Sequence, residues 1–412
     1  MRKLFIFFIL LSSQVFIPCY LMSGGFQIPF QGIKYQGMGH CGTSYFADAG
    51  AIYYNPAGIS LLRRPSLSLG VSGVTGFSLF RDDKDGHIYD NKPTLATPFY
   101  AYFAQRMGKG KWTAGLGLYT PFGSALAFND DFPGRFIAQS STLTAIYFQP
   151  TAAYKCNDKL SIGGGIVVSY AELEITRSLP VTDVDGLESQ VNISGEKIGW
   201  GYNVGISYRM NEKLNFGFAY RSRVGYKIAD GFAKFSLPAS LQEVAPKEST
   251  FSASVKLPET LSGAVTCHIN SNTLLSGQID YTGWRVFKEL RFVLDTPVLG
   301  TTTVVSNREY RGAFVYRIGF QNTLKEWLTL RAGVVFDQGA ADAEHVTPDV
   351  PDNNHFGLVA GSSFLIKKKL SLDITAGWVE GKERRAENTQ YNYYGLVKTR
   401  AFIAGLGLSY DL

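Results

Sequence analysis

Beyond its first two dozen residues, this 412-residue chain has no apolar run approaching the roughly 20 residues that a membrane-spanning helix needs, so any residence in a bilayer must use strands. No Pro-rich, Ser-rich or highly charged linker divides it, which favours one large architecture over several domains. Charged residues make up only 18%, unlike a helical enzyme in which Ala, Leu, Glu and Lys dominate. The net charge of +6, about +4 without Arg2 and Lys3, is too weak and dispersed to point to nucleic acid. The five histidines, His40, His87, His268, His345 and His355, are scattered, and none has the i, i+4 spacing of a helical metal site. A Gly-x-Ser-x-Gly elbow is also missing. No catalytic residue, metal or cofactor is therefore expected. Cysteine is scarce too: Cys41, Cys156 and Cys267 follow Cys19, and an odd number describes no disulfide framework. They read as core or turn residues, with their pairing left open.

What is present begins with a targeting signal. Arg2 and Lys3 precede the unbroken apolar run Leu4 to Leu11, then Ser12 and Ser13. That pattern matches a secretory signal peptide over residues 1–23, with the mature chain starting near Ser23 to Gly25. Acylation at Cys19 is the alternative, and Pro18 fits it poorly.

Aromatics at 14% and 44 glycines suit a Gly- and Tyr-rich sheet. Alternation defines its strands, because successive side chains of a strand point to opposite faces. From Lys213 to Ile228 the even positions are Leu214, Phe216, Phe218, Tyr220, Ser222, Val224, Tyr226 and Ile228, all but one apolar. The odd positions, among them Gly217, Arg221, Arg223 and Lys227, are small or polar. The split recurs at Leu328 to Asp337, Trp200 to Arg209 and Phe402 to Leu412. A soluble sandwich alternates as well, but strands of roughly 10 to 16 residues exceed its usual five or six and suffice to cross a bilayer obliquely.

Six short turn-like connections fall at Gly108 to Gly110, Asn157-Asp158, Asn211-Glu212, Asn270 to Asn272, Asn322 to Lys325 and Lys367-Lys368. Seven long ones fall near residues 81–96, 120–142, 177–196, 229–250, 284–307, 338–354 and 382–396, alternating with the short. Thirteen connections imply fourteen strands, and an even number leaves both chain ends on the periplasmic rim of a closed barrel. The expected fold is all-β: a 14-stranded antiparallel transmembrane β-barrel over residues 66–412. Residues 24–65 would form an N-terminal plug, or hatch, inside a lumen too wide for wall side chains to fill. A periplasmic tail is the alternative.

With these features the chain resembles the FadL family of outer-membrane transporters, which includes long-chain fatty acid and toluene and xylene uptake channels. The likeness runs through Gly25-Phe26-Gln27, Asp48-Ala49-Gly50, Asn55-Pro56-Ala57, Thr120-Pro121-Phe122-Gly123, Gln149 to Tyr154, Leu257 to Leu261, Tyr281-Thr282-Gly283-Trp284 and Thr347 to Asp352. Leu412 departs from the Phe that usually ends such barrels, although Tyr410 keeps the aromatic pattern. The resemblance implies capture of a hydrophobic substrate in an external groove between the third and fourth long loops, transfer to an apolar lumen pocket, and lateral release at a kink in the third strand. The groove residues would be Leu179, Val181 and Leu187 on the third loop and Phe232, Phe235, Leu237 and Leu241 on the fourth. Phe26, Asn55, Pro56 and Ala57 would be the working residues of the hatch. Arg221, Arg223, Lys227 and Arg331 belong to the polar face and would meet a substrate carboxylate or pair within the lumen. Expected partners are the hydrophobic substrate, the bilayer and lipopolysaccharide of the outer membrane and the barrel-assembly machinery, with the chain a monomer. The competing reading is a surface receptor or adhesin barrel without a transport role.

Overall fold

A computed structural model describes residues 25–182, 188–238, 246–298 and 300–412. The segment read as a signal peptide lies outside them. The wall is a closed 14-stranded antiparallel barrel. Its strands are Ser66–Asp82; Ile88–Asp90 continued by Leu95–Ala96 and Phe99–Arg106; Trp112–Ala127; Ser140–Lys155; Leu160–Thr182; Glu188–Arg209; and Leu214–Arg221 continued by Val224–Ser236. The second half comprises Glu248–Leu257 with Thr260–His268 in chain-reversed height; Thr273–Thr282 with Glu289–Val298; Thr301–Asn307 with Ala313–Lys325; Leu328–Asp337; His355–Lys367; Leu370–Gly381 with Arg384–Asn388; and Tyr393–Asp411. Closure is direct, since the first strand pairs with the last from Ser66↔Asp411 to Asp82↔Gly395. The sheet thus closes on itself, with no first or last strand left as a free edge.

The short turns fall where turn chemistry places them, apart from the fifth, at Glu326-Trp327 rather than 322–325, and the sixth, at Lys368-Lys369 rather than Lys367-Lys368. The long connections are shorter than the sequence suggests. Residues 177–182 and 188–196 belong to strands, as do 229–236 and 248–250, because the hairpins keep pairing past the lipid-facing band, across one register shift in each. Apolar residues such as Ile175, Leu179, Val191 and Ile193 keep one face of these extensions buried, so alternation and pairing persist without a membrane.

One strand departs from its expected faces. In the seventh, Phe218 is exposed and Arg221 buried, but beyond Ser222-Arg223 the order inverts: Val224, Tyr226 and Ile228 are buried while Arg223 and Lys227 are exposed. The eighth strand steps across with it, since Arg221↔Thr260 and Val224↔Leu257 share one register across Pro258. Proline supplies no N–H for a ladder, and such a gap lets both strands turn over together. The sequence alternates unbroken because two different environments, lipid outside and an apolar lumen above, ask for the same residue types.

Residues 25–62 lie inside the barrel, pressed against inward glycines. A Cβ at Gly217 would collide with the Thr43 carbonyl, and one at Gly319 or Gly333 with Met38 or Gly39. The small residues of the polar face are thus seats for the plug. Ile52 and Tyr53, at the end of the short helix Ala51–Tyr54, have carbonyls that lack helical partners. Gln149 donates to Ile52 O at 3.1 Å, Asn203 to both at 3.1 Å, and Arg221 to Tyr53 O at 2.5 Å. Lys34 stands 3.5 Å from Asp48 and 3.8 Å from Asp373 of the wall. Burial alone would lower its pKa, but the two carboxylates more than offset this and hold it above the ordinary lysine value.

Candidate functional site

The tip of the hatch meets the wall at the third strand. Thr120-Pro121 makes a bulge there, shifting the register with the fourth strand between Tyr119 and Phe122. Below it the second and third strands pair from Arg106↔Thr113 to Tyr100↔Tyr119; above it regular pairing stops until the isolated bridge Asn91↔Phe128. The hatch takes up the vacant edge instead. Ile28 N donates to Pro121 O at 2.8 Å, Gly123 N donates to Phe26 O at 3.1 Å, and Gln27 bridges Phe122. The Phe26 ring sits edge-on to Trp284 at 4.8 Å, Phe287 at 5.4 Å and Phe122 at 6.2 Å. Its neighbour Gly25 donates to Asp352 Oδ1 at 2.9 Å, and Ala341 N to Asp352 Oδ2 at 2.7 Å. Burial raises the Asp352 carboxyl above its ordinary value, partly countered by these N–H groups.

A cavity of about 430 Å³ runs beneath this tip. One end is formed by Phe26, Phe30 and His40 of the hatch with Val335, Val359 and Ile403 of the wall; the other reaches Thr94 to Phe99 and Phe122 to Leu126, edges without a backbone ladder between them, where Thr94 Oγ1 donates to Ala125 O at 3.0 Å. Its volume lies within the range of small-molecule sites. Burial, with the Arg317 guanidinium nearby, pushes the His40 pKa well below its ordinary value, so that ring is neutral. Arg317 itself bonds Asp280 at 2.7 Å.

A second apolar space lies above, walled by Phe26, Leu143, Leu173, Tyr226, Ile228, Val255, Leu257, Phe287 and Leu290. It continues into the cluster of the hairpin extensions. Leu179 and Phe235, expected on opposing loops, are buried in that one cluster, with Leu237 against its edge. They stand on strands or strand ends, not on free loops. Val181 is half-buried in the fifth strand, and Phe232 is exposed on the face opposite Phe235. Phe232 therefore stands apart from that cluster. Leu187 and Leu241 lie outside the described residues.

The four expected lumen cations divide. Arg221 and Arg331 are buried inside and hold the hatch: Arg221 lies 3.8 Å over the Tyr53 ring, and Arg331 donates to Tyr45 Oη at 3.2 Å, Gln321 at 2.8 Å and Ser363 at 2.6 Å. Arg223 and Lys227 are outside, turned out by the inversion at Ser222-Arg223, and Arg223 pairs with Glu259. In the hatch, Asn55 donates to Thr43 O at 2.7 Å and Ile206 O at 3.0 Å and accepts from Ala57 N at 3.1 Å. It starts the 3₁₀ turn Pro56–Leu61 and ties it to the wall, with Pro56 and Ala57 buried. Cys41, Cys156 and Cys267 are free thiols, and burial pushes the Cys41 thiol up to about 12.

Sequence reasoning assigned no role to Trp284, Arg308, Asp349 or Asp352. Arg308 is fully buried and bonds Asp349 at 2.8 and 2.9 Å. Motifs around Trp284 and from Thr347 to Asp352 did mark three of the four positions; Arg308 carried no signal of its own.

The model of a family described as outer membrane protein transport protein (OMPP1/FadL/TodX) matches residues 14–412. The long-chain fatty acid transport protein of Escherichia coli (strain K12) is 23% identical, over 94% of each chain. A 47 kDa outer membrane protein of Pasteurella multocida (strain Pm70) is 26% identical, over 98% of this chain and 97% of its own. Among solved structures, a Pseudomonas aeruginosa FadL homologue superposes with a TM-score of 0.83 at 16% identity, covering 94% of this chain and 100% of that one. The P. putida toluene transporter TodX gives 0.76 at 18% identity, covering 92% and 98%.

Proposed function

The chain belongs to the OMPP1/FadL/TodX family of outer membrane transport proteins, and from that premise we propose that it admits hydrophobic small molecules, long-chain fatty acids or aromatic hydrocarbons, across the bacterial outer membrane. The substrate is captured in the apolar cluster of the hairpin extensions and the space above Phe26. It then passes to the cavity beneath the hatch tip and leaves sideways between the second and third strands. A single observation carries this reading: the lower cavity joins the lumen to two strand edges that are not paired with each other. An apolar solute leaving there enters the bilayer core without crossing a hydrogen-bonded ladder.

Affinity in this route comes from apolar contact, at roughly 25 cal/mol per Å² buried. The named cations do not supply a carboxylate site, because two hold the hatch and two stand outside. One closed barrel encloses the whole path, which supports action as a monomer. Phe26 separates the upper space from the lower, so the hatch tip must shift for passage. Phe26→Ala removes a ring packed among three aromatics and is expected to loosen the tip by about 3–5 kcal/mol. Protease cleavage within residues 26–31 then becomes faster, and ligand retained by the purified barrel falls.

Uptake of labelled oleate and of toluene by cells with and without the chain tests the function itself. Faster entry of either compound in the presence of the chain is the expected result. Equal entry for every apolar compound tried overturns it and leaves the receptor or adhesin reading.

A further inference from the structure

The wall has a second seam, on the side away from the third strand. The eighth and ninth strands pair below from Thr260↔Thr282 to His268↔Leu274, and above over Phe251↔Leu294 to Ala253↔Phe292. Between these ladders the ninth strand has three residues more than the eighth, and its Trp284–Val286 turn folds inward. Among the described residues, the one backbone bond across the gap is at its lower corner, Gly283 N to Glu259 O at 2.9 Å. Residues 254–258 and 284–291 therefore face each other without a ladder. Apart from the gap between the second and third strands, parting two wall strands breaks a run of hydrogen bonds. Here that cost is absent.

What borders the seam differs on its two sides. Inward are Val255, Leu257, Phe287 and Leu290, which also wall the space above Phe26. Outward are exposed Lys256, Lys288 and Arg291, with Arg223 paired to Glu259 and Arg291 to Glu289. These charges stand just above the lipid-facing band, whose nearest members are exposed Leu261 and Ile279. Lys256 and Lys288 form no ion pair among the described residues. We propose that this seam is a lateral entrance from the outer leaflet. An anionic single-chain amphiphile lying in that leaflet slides its tail between the two strands into the space above Phe26, while Lys256 and Lys288 hold its headgroup. This rests on the proposed transport of hydrophobic molecules and adds a route and a charge preference to it. It also gives cations outside the barrel a part in recognition.

The test compares oleate with oleyl alcohol, which has the same tail and no charge, in cells carrying the full chain. Lys256→Gln with Lys288→Gln is expected to slow oleate entry about thirtyfold, the effect of removing two cations from an anionic headgroup. Oleyl alcohol entry stays at the wild-type rate, and Lys256→Arg with Lys288→Arg keeps oleate entry near wild type. Unchanged oleate entry in the glutamine variant, with the wild-type chain still speeding entry of the same compound over cells without it, overturns the entrance and leaves the transport reading intact. Equal loss of oleate and oleyl alcohol also overturns it, because the lysines then support the wall and select nothing. A wild-type chain that moves toluene but not oleate overturns the entrance alone; one that moves no apolar compound overturns both.

Discussion

Gly123→Leu is expected to slow entry of every apolar substrate about tenfold or more, since overfilling a packed site costs roughly 1–3 kcal/mol. Gly123 is where three parts of the pathway meet. Its N–H holds the Phe26 carbonyl, it lines the lower cavity, and it lies on the third-strand edge left unpaired by the bulge at Thr120-Pro121. A Cβ there would lie 2.8 Å from Ile28 Cδ1 and 3.1 Å from Leu143 O. The first neighbour is the end of a side chain and can yield; the second is wall backbone and cannot. A leucine must therefore push Ile28 and the hatch tip aside or fill the cavity mouth. Both outcomes obstruct the exit between the second and third strands. Gly277→Leu is the control, because a Cβ there meets nothing within 4 Å. Uptake rates of oleate and toluene for both variants, normalised to folded barrel in the outer membrane, check the expectation. Wild-type uptake by Gly123→Leu would show that substrate leaves elsewhere.

The strand count was legible because two independent signals agree: period-two alternation and turn residues such as Asn157-Asp158 and Asn211-Glu212. The length of the outer hairpins was not. Leu179 and Phe235 read as greasy loop residues when they are the buried face of strands that outrun the membrane. Nor could alternation report the inversion at Ser222-Arg223, since lipid and an apolar lumen select the same side chains. Arg223 and Lys227 were misplaced for that reason alone. A sign was available in Pro258-Glu259, where a proline and an acid interrupt the neighbouring strand opposite the break. The width of the lumen pointed to a plug, but not to the wall glycines Gly217, Gly319 and Gly333 that receive the hatch backbone. Which cation meets the hatch and which meets solvent depends on partners hundreds of residues away, and no local pattern encodes that.

The same long-range dependence makes Arg308→Ala the most damaging single change expected. Arg308 is fully buried, and its guanidinium bonds both oxygens of Asp349, which is itself buried, as well as Thr347. Removing one member of such a pair strands the other charge and costs about 3–5 kcal/mol. The damage does not stop at Asp349. Three residues on, Asp352 holds Gly25 at the hatch tip and Ala341 in the same connection, so a displaced Thr347–Asp352 segment releases Phe26 from above. Arg308→Ala should thus lower the temperature at which the barrel loses its compact form and expose residues 338–354 and 26–31 to protease together. Combining Arg308→Met with Asp349→Leu removes both charges and keeps apolar bulk, so most of the loss should be recovered. If the double replacement restores both the thermal transition and the protection of residues 26–31, the pair acts as a brace for the hatch tip. Restoration of the transition without that protection would separate the brace from the hatch and leave Asp352 to act alone.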